Sequence, residues 1–410
     1  MGETGRKEVR IGVIGAGNMG STHIKSILAG KIPGLCLCSA ADRRESRREW
    51  LRGIVPEDVV VYEEGSMLIA ENDCDAVLIA VPHYQHPKLA IEAFAHRKHV
   101  MCEKPAGVYT KQVREMNSAA RKSGLIFGMM FNQRTNCIYR EMQRIVNSGE
   151  MGNLRRVNWI ITNWYRTDAY YASGGWRATW DGEGGGVLLN QCPHQLDLLQ
   201  WICGLPCAVH AFCHNGKWHD IEVEDDVTAY LEFPGGATGV FVTTTADAPG
   251  TNRLEITLDY GKLVCEDGVL RRWRLSENER VFCHTAQGGF DKPAVTEEIV
   301  ETDGQNPQHN GVLTAFTNRI LYGTPLVAEG CEGIRGLLLS NAMHLSSWTG
   351  RTVVLGDPGK EASSVLSEAA KADEPLLFDE DLFFAELSKR RALSRVKCDT
   401  GRVMDTTGTY

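Results

Sequence analysis

Several features are scarce or missing in this chain of 410 residues. No apolar run approaches the roughly 20 residues that a membrane-spanning helix requires, so a bilayer is not an expected partner. Basic residues are not in excess. Against 44 Lys and Arg stand 52 Asp and Glu, and the net charge of −8 argues against a nucleic-acid surface. The opening residues Met1-Gly2-Glu3-Thr4-Gly5-Arg6-Lys7-Glu8 lack the apolar core of a secretory leader. Thirteen cysteines are many, but the count is odd and no Cys-x-x-Cys occurs. Reduced thiols in the cytoplasm are therefore expected rather than a disulfide framework. Cys203, Cys207, His210, Cys213 and His214 crowd together in sequence, yet a helix end and an alternating strand would scatter them, so no metal is expected. Internal repeats and low-complexity tracts are missing too. What remains is ordinary globular composition, 43% hydrophobic and 23% charged, in a chain long enough for two domains and an extension.

The first third alternates short β runs with helical stretches. Val9 to Ile14 feeds directly into Gly15-Ala16-Gly17-Asn18-Met19-Gly20, the G-x-G-x-x-G spacing of a dinucleotide cradle. The first glycine makes a tight turn, the second lets backbone approach a pyrophosphate, and the third lets helix pack on strand. The amides of Asn18 and Met19 then open a helix whose amino terminus suits phosphate. A second β run, Leu35 to Ala41, ends at Asp42, 22 residues past Gly20, where a carboxylate would bind the adenosine ribose. Asp42 would repel a 2′-phosphate and favours NAD over NADP, although Arg43 and Arg44 behind it could accommodate one. The other reading of Asp42 is a helix N-cap.

Further β runs at 75–82, 99–102 and 125–130 alternate with helices at 86–97 and 109–123, which predicts a doubly wound parallel sheet. Ligands bind outside the carboxyl ends of such strands. Pro82, His86, Glu103, Lys104 and Asn132 all fall at or just beyond those ends. Lys104 matters most. A partly buried lysine beside an oxidised nicotinamide has a lowered pKa and can exchange a proton with a substrate hydroxyl. The plainer reading is a surface lysine paired with Glu103.

The centre of the chain is Gly184-Gly185-Gly186-Val187-Leu188-Leu189-Asn190-Gln191-Cys192-Pro193-His194-Gln195-Leu196-Asp197. Three glycines mean that something approaches the backbone closely. An apolar stripe follows at helical spacing, with Pro193 either starting the helix or kinking it. Asn190, His194 and Asp197 stand at i, i+4 and i+7, on one helical face. Just upstream, residues 164–180 hold three Trp, three Tyr and two Arg in a glycine-jointed loop. Aromatic faces with planar hydrogen-bond forks suit a pyranose ring, and Trp176, Arg177 and Tyr165 are the substrate candidates. A core or subunit-interface loop is the alternative.

In this order, the glycine fingerprint, Glu103-Lys104-Pro105, and the triple glycine ahead of Asn190-x-x-x-His194-x-x-Asp197 resemble the Gfo/Idh/MocA family of sugar and polyol oxidoreductases. The resemblance covers roughly residues 8 to 355. It implies an α/β protein with an NAD-binding Rossmann domain, taken as 1–134. An α/β domain with a large open, mostly antiparallel sheet follows, taken as 135–355. It also implies that Lys104 and His194 flank the reacting carbon. Many members carry aspartate four residues before that histidine, where this chain has Asn190, which can orient a hydroxyl but cannot accept a proton. Asp197 is left either to polarise His194 or to bind substrate.

The β runs 226–233, 239–244, 253–258 and 262–265 agree with an antiparallel sheet, whose open face suits a homo-oligomer, dimer or tetramer. Residues 356–410 lie outside the family pattern and read as a tail that wraps a neighbouring subunit or is partly disordered. The expected activity is NAD-dependent oxidation of a ring hydroxyl of a sugar, glycoside or cyclitol, with C3 of a glycoside the specific choice. Two other readings stay open. One is a redox-neutral cleavage or epimerisation on tightly bound NAD, and the other is a non-catalytic NAD-binding regulator.

Overall fold

In the computed structural model, residues 8–71, 73–356 and 376–395 are described. Two sheets carry the chain. The first is six-stranded and parallel, in the order β3-β2-β1-β4-β5-β6. Its strands are β1 (Val9–Ile14), β2 (Leu35–Ala41), β3 (Val60–Tyr62), β4 (Ala76–Ile79), β5 (His99–Cys102) and β6 (Phe127–Met129). Their side chains are nearly all buried, as a sheet covered by helices on both faces requires. The strand order reverses between β1 and β4, so the crevice for a dinucleotide opens there. β3, with the helices Glu45–Arg52 and Gly65–Glu71 around it, fills the stretch the sequence leaves unread. Three residues are too few to show a period.

The second sheet has ten strands and is mostly antiparallel. Its central members are β7 (Leu154–Ile161), β8 (Ala208–Asn215), β9 (Glu224–Glu232), β10 (Thr238–Thr244), β11 (Asn252–Leu258) and β12 (Gly261–Glu266). β13 (Val269–Leu275), β14 (Val295–Ile299), β15 (Val353–Val354) and β16 (Leu376–Leu377) complete it. β7 and β10 pair in parallel within it. On β7, Val157, Trp159 and Ile161 face inward while Ile160 faces out and is 39% exposed. The helices Pro193–Cys203 and Gly333–Thr349 cover the inner face. Phe212 and Tyr230 join Ile160 as exposed apolar residues of the sheet.

The two sheets do not divide the chain cleanly at residue 134. The helix Gln308–Tyr322 returns to the first sheet, where Val312, Leu313 and Phe316 share a core with Val9, Ile11 and Met101. Part of the tail, residues 376–395, is described. β16 pairs in parallel with β15, and the helix Glu380–Leu393 lies on its own chain. Phe383 stacks on Trp348 with centroids 5.3 Å apart, Arg391 Nε donates to Asp181 at 2.8 Å, and Lys111 meets Asp381 at 2.8 Å. The rest of the tail is outside the described residues.

Candidate active site

The glycine fingerprint divides its work as the spacing predicts. Gly15 has φ +94°, and a Cβ there would lie 2.4 Å from the Ala80 carbonyl oxygen. A Cβ on Gly20 would fall 1.8 Å from the Gly15 oxygen, so that glycine is required for helix-on-strand packing. Gly17 meets nothing closer than Arg44 at 3.9 Å, which leaves its backbone open to a ligand. The helix Asn18–Leu28 that follows has no side-chain cap on its first amides. These residues fit a dinucleotide pyrophosphate.

Asp42 closes β2 and turns back to the cradle. Its Oδ2 accepts from the Ala16 amide at 2.8 Å, and its Oδ1 accepts from the Arg44 amide at 2.9 Å. It is not the N-cap of the next helix, whose cap position is Arg44. Arg43 is a correction: its Nε donates to Glu64 at 2.8 Å, outside the cradle. Arg44 and Arg47 are the arginines at the loop, Arg44 on Asp42 and Arg47 on the Ala16 carbonyl at 2.8 Å.

Pro82 is exposed at the carboxyl end of β4, as a cofactor edge requires. His86, next along, is not available to a cofactor. Both its ring nitrogens lie 2.7 Å from backbone carbonyls, those of Pro105 and Val81, and the ring ties β4's exit to the turn after β5. Glu103 is buried and accepts from His23 Nε2 at 2.7 Å. Burial opposes its charge, but His23, Lys104 and His309 outweigh that and hold its pKa down to about 2. The Asn132 amide donates to Gln308, while its Oδ1 is buried with no protein partner. That orphaned acceptor suits an amide donor at the cofactor edge.

Lys104 is not a surface lysine paired with Glu103. Its Nζ crosses the seam between the two sheets and donates to the Asn190 carbonyl at 3.1 Å. Burial lowers its pKa, with Glu103 and Glu183 opposing that and Arg177 adding to it. His194 stands in the first turn of Pro193–Cys203, the helix starting at Pro193 rather than being kinked by it. Burial and then the Lys104 charge push its pKa down to about 3, and its Nδ1 has no protein partner. The lysine and the histidine therefore share one environment. At neutral pH the imidazole is an uncharged hydrogen-bonding group.

The rest of the central motif departs from the helical-face reading. Asn190 lies in the turn before the helix, not on it. Its Nδ2 donates to Glu183 and, at 3.2 Å, to the Tyr170 hydroxyl. Asp197 neither polarises His194 nor faces a substrate. Its two oxygens accept from Arg134 at 2.6 and 2.8 Å, and Gln200 adds a third bond at 3.0 Å. An ion pair this buried leaves the carboxylate no further work. The three glycines also have a protein explanation. A Cβ on Gly184 would meet Val108 at 2.3 Å, and one on Gly186 would meet the Glu224 carbonyl oxygen at 2.0 Å. Glu224 is fully buried and accepts from the Gly186 and Leu188 amides at 2.9 and 3.0 Å.

In the aromatic loop, Trp176 meets His83 edge-on with centroids 5.9 Å apart. The Arg177 guanidinium lies over both Tyr170 and Trp176, 4.7 and 4.8 Å from their centroids, and donates to the Tyr170 hydroxyl at 2.9 Å. Tyr165 points away and is half exposed. Tyr170 holds the place expected of it. Sequence reasoning also missed Glu183, a buried carboxyl held by the Ala178 amide at 2.6 Å. Its one signal was its place directly before the glycine run. The cysteines and histidines at 203–214 bond elsewhere: Cys207 to the Glu232 carbonyl, Cys213 to that of Met343, His210 to Thr352.

Residues 9–131 match a family model described as the oxidoreductase family with an NAD-binding Rossmann fold, and residues 139–264 match the GFO/IDH/MocA C-terminal domain. The chain is 27% identical to myo-inositol 2-dehydrogenase of Thermotoga maritima over 354 residues, 85% of this chain and 98% of that one. It is 27% identical to D-glucoside 3-dehydrogenase of Escherichia coli over 370 residues, 85% and 97% of the two chains. The WlbA dehydrogenase of Bordetella pertussis, solved with NADH and UDP-GlcNAcA, superposes with a TM-score of 0.74 at 22% identity, covering 87% of this chain and all of that one. A cradle that only glycine can form, a lysine carried across the seam to the turn that leads into the His194 helix, and matches to both domain models agree, and this chain belongs to the GFO/IDH/MocA family of NAD-binding oxidoreductases.

Proposed function

We propose that the protein oxidises a ring hydroxyl of a sugar, glycoside or cyclitol with NAD, and that C3 of a glycoside is the position attacked. The observation that carries this is the Lys104 Nζ bond to the Asn190 backbone carbonyl, four residues before His194, whose pKa the lysine charge lowers, beyond the carboxyl end of β5 and on the sheet edge that also holds the glycine cradle. NAD, when bound, supplies the hydride acceptor. Lys104 takes the hydroxyl proton through Nζ, which burial has made easier to discharge. His194, uncharged, orients the same hydroxyl. Trp176 and Arg177 offer the face and the donors that a pyranose needs. The relatives named for glucoside C3 and inositol C2 oxidation support this substrate class.

NAD rather than NADP follows from the Asp42 carboxylate at the cradle, with Arg44 neutralised on it. No described helix is long and apolar enough to cross a membrane, and a cytoplasmic homo-oligomer, dimer or tetramer, seated on the outward face of the ten-stranded sheet is part of this reading. The test is a panel of glycosides, monosaccharides and inositols with NAD and NADP, followed at the nicotinamide absorbance. NADH accumulating with a pyranoside is the expected result. Substrate loss without NADH would move the reading to a redox-neutral cycle, and no turnover of any member would overturn it.

A further inference from the structure

Asn190 lies beside Lys104, and its side-chain amide cannot accept a proton. A carboxylate stands next to it. Glu183 is 2% exposed, and its two oxygens accept from the Ala178 amide and from the Asn190 side chain. Asn190 thereby lies between the two: its backbone carbonyl accepts from Lys104 Nζ while its side-chain amide donates to Glu183. Nothing else in the motif spacing requires a buried acid there. The site's other buried carboxylates are committed to groups outside the reaction, Asp197 to Arg134, Glu103 to His23, and Glu224 to the glycine turn.

We propose that Glu183 is the counter-charge to Lys104, a positioning residue held beside it by Asn190. This rests on the dehydrogenase reading above. During oxidation the substrate O–H bond breaks and its proton passes to Lys104 Nζ, while the C–H bond breaks and its electron pair leaves as hydride to NAD. Lys104 becomes an ammonium ion in a partly buried site. An anionic Glu183 one residue away stabilises that ammonium, which makes the amine the stronger base.

The surroundings of Glu183 support this. Burial pushes its pKa up to about 7, against the pull of the Ala178 amide, Arg177 and the Asn190 amide, with Glu224 adding to the rise. His83, from the turn after β4, donates to its backbone carbonyl at 3.1 Å and is itself pushed well below the ordinary range, chiefly by burial. Tyr171, from its own loop, is held protonated by burial. Lys104 faces it from β5. The Glu183 charge opposes the lowering of the Lys104 pKa, second to that of Glu103.

The test reads Lys104 directly and needs no substrate. Trace acetylation of the full-length protein across pH, quantified by mass spectrometry against the exposed Lys88, gives the fraction of free amine at Lys104. In Glu183→Gln the lysine loses its counter-charge, and its acetylation near pH 8 is expected to rise about tenfold, as a pKa one unit lower gives. Asn190→Asp added to that variant puts a carboxylate back beside Lys104 and is expected to return it toward the wild-type curve. A circular-dichroism melt confirms that each variant is folded. With a sugar that the wild type oxidises, kcat is expected to rise through about pH 7 and to lose that limb in Glu183→Gln. Unchanged or slower acetylation of Lys104 in the folded Glu183→Gln protein would overturn the proposal. Absence of turnover with every sugar would instead sink the dehydrogenase reading, and the acetylation curves would still decide the role of Glu183.

Discussion

The nucleotide cradle and the seam around Lys104 both hold polar groups still, and they do it by different means. In the cradle, residues 15–20 are contiguous, and their conformation is fixed by which of them can bear a Cβ. Asp42 is the one distant group that completes it, reached because β1 and β2 are neighbours in parallel. At the seam nothing is contiguous. Lys104 leaves the first sheet, Asn190 waits in a turn of the second domain, and Glu183 is pinned by an amide five residues upstream. Steric exclusion built the first, whereas burial of charge built the second. The glycine turn of the cradle owes nothing to a titrating group, whereas the seam is built from several.

Removing Lys104 is the sharpest way to separate the two. Lys104→Ala is expected to lower kcat by about a thousandfold, within the range for losing a positioned proton acceptor. The NAD dissociation constant, read by fluorescence titration, should change by less than about threefold, because the cradle does not depend on the lysine. Wild-type turnover in that variant would erase the distinction between the two regions.

The next effect is on stability, and it runs opposite to activity. The Glu183 carboxyl moves from an ordinary 4.5 to about 7 on folding. Its contribution is fully favourable below pH 4.5 and is lost as the pH rises through 7. Ionising it in place costs on the order of 3 kcal/mol. Glu183→Gln should therefore unfold at higher urea concentration than the wild type at pH 8 and at the same concentration at pH 4. Glu103 has the opposite sign. Its pKa is depressed to about 2, so its contribution is present above 4.5 and disappears only as the pH falls toward 2. Equal urea midpoints for wild type and Glu183→Gln at pH 8 would remove the titrating character assigned to the seam.

Within the cradle the largest available change is in cofactor choice. Asp42→Ser removes the charge that repels a 2′-phosphate and frees Arg44, and the ratio of NADP to NAD affinity should rise about tenfold, or roughly 1.4 kcal/mol. Steady-state kinetics with both cofactors measure it, and an unchanged ratio would show that Asp42 does not read the ribose. Smallest of all, Tyr165→Ala should alter neither the substrate KM nor stability by more than about 0.5 kcal/mol, since the ring is half exposed and turned away. Tyr170→Phe, one hydroxyl lost from the hub of Arg177 and Asn190, should raise KM more than that change does.

The sequence by itself determined the parallel sheet, the cradle and the place of Lys104 at a strand end, while the choice of His194 as its counterpart came from the family resemblance. The first three follow from local rules: period-2 burial, the positions where only glycine fits, and a lysine ending a strand. β13 and β14 escaped notice because β14 has every side chain exposed and β13 alternates poorly, so neither shows a buried face in its residues. Asp197, His86, Arg43 and Tyr165 are polar residues whose sequence positions suit a site but whose surroundings the sequence did not show. Asp197, His86 and Arg43 were claimed by partners 63, 19 and 21 residues away, while Tyr165 was turned out to solvent. Only the tertiary structure decided which carboxylates are spent on ion pairs and which is left to titrate, because the charge of a buried acid depends on the groups that reach it through space.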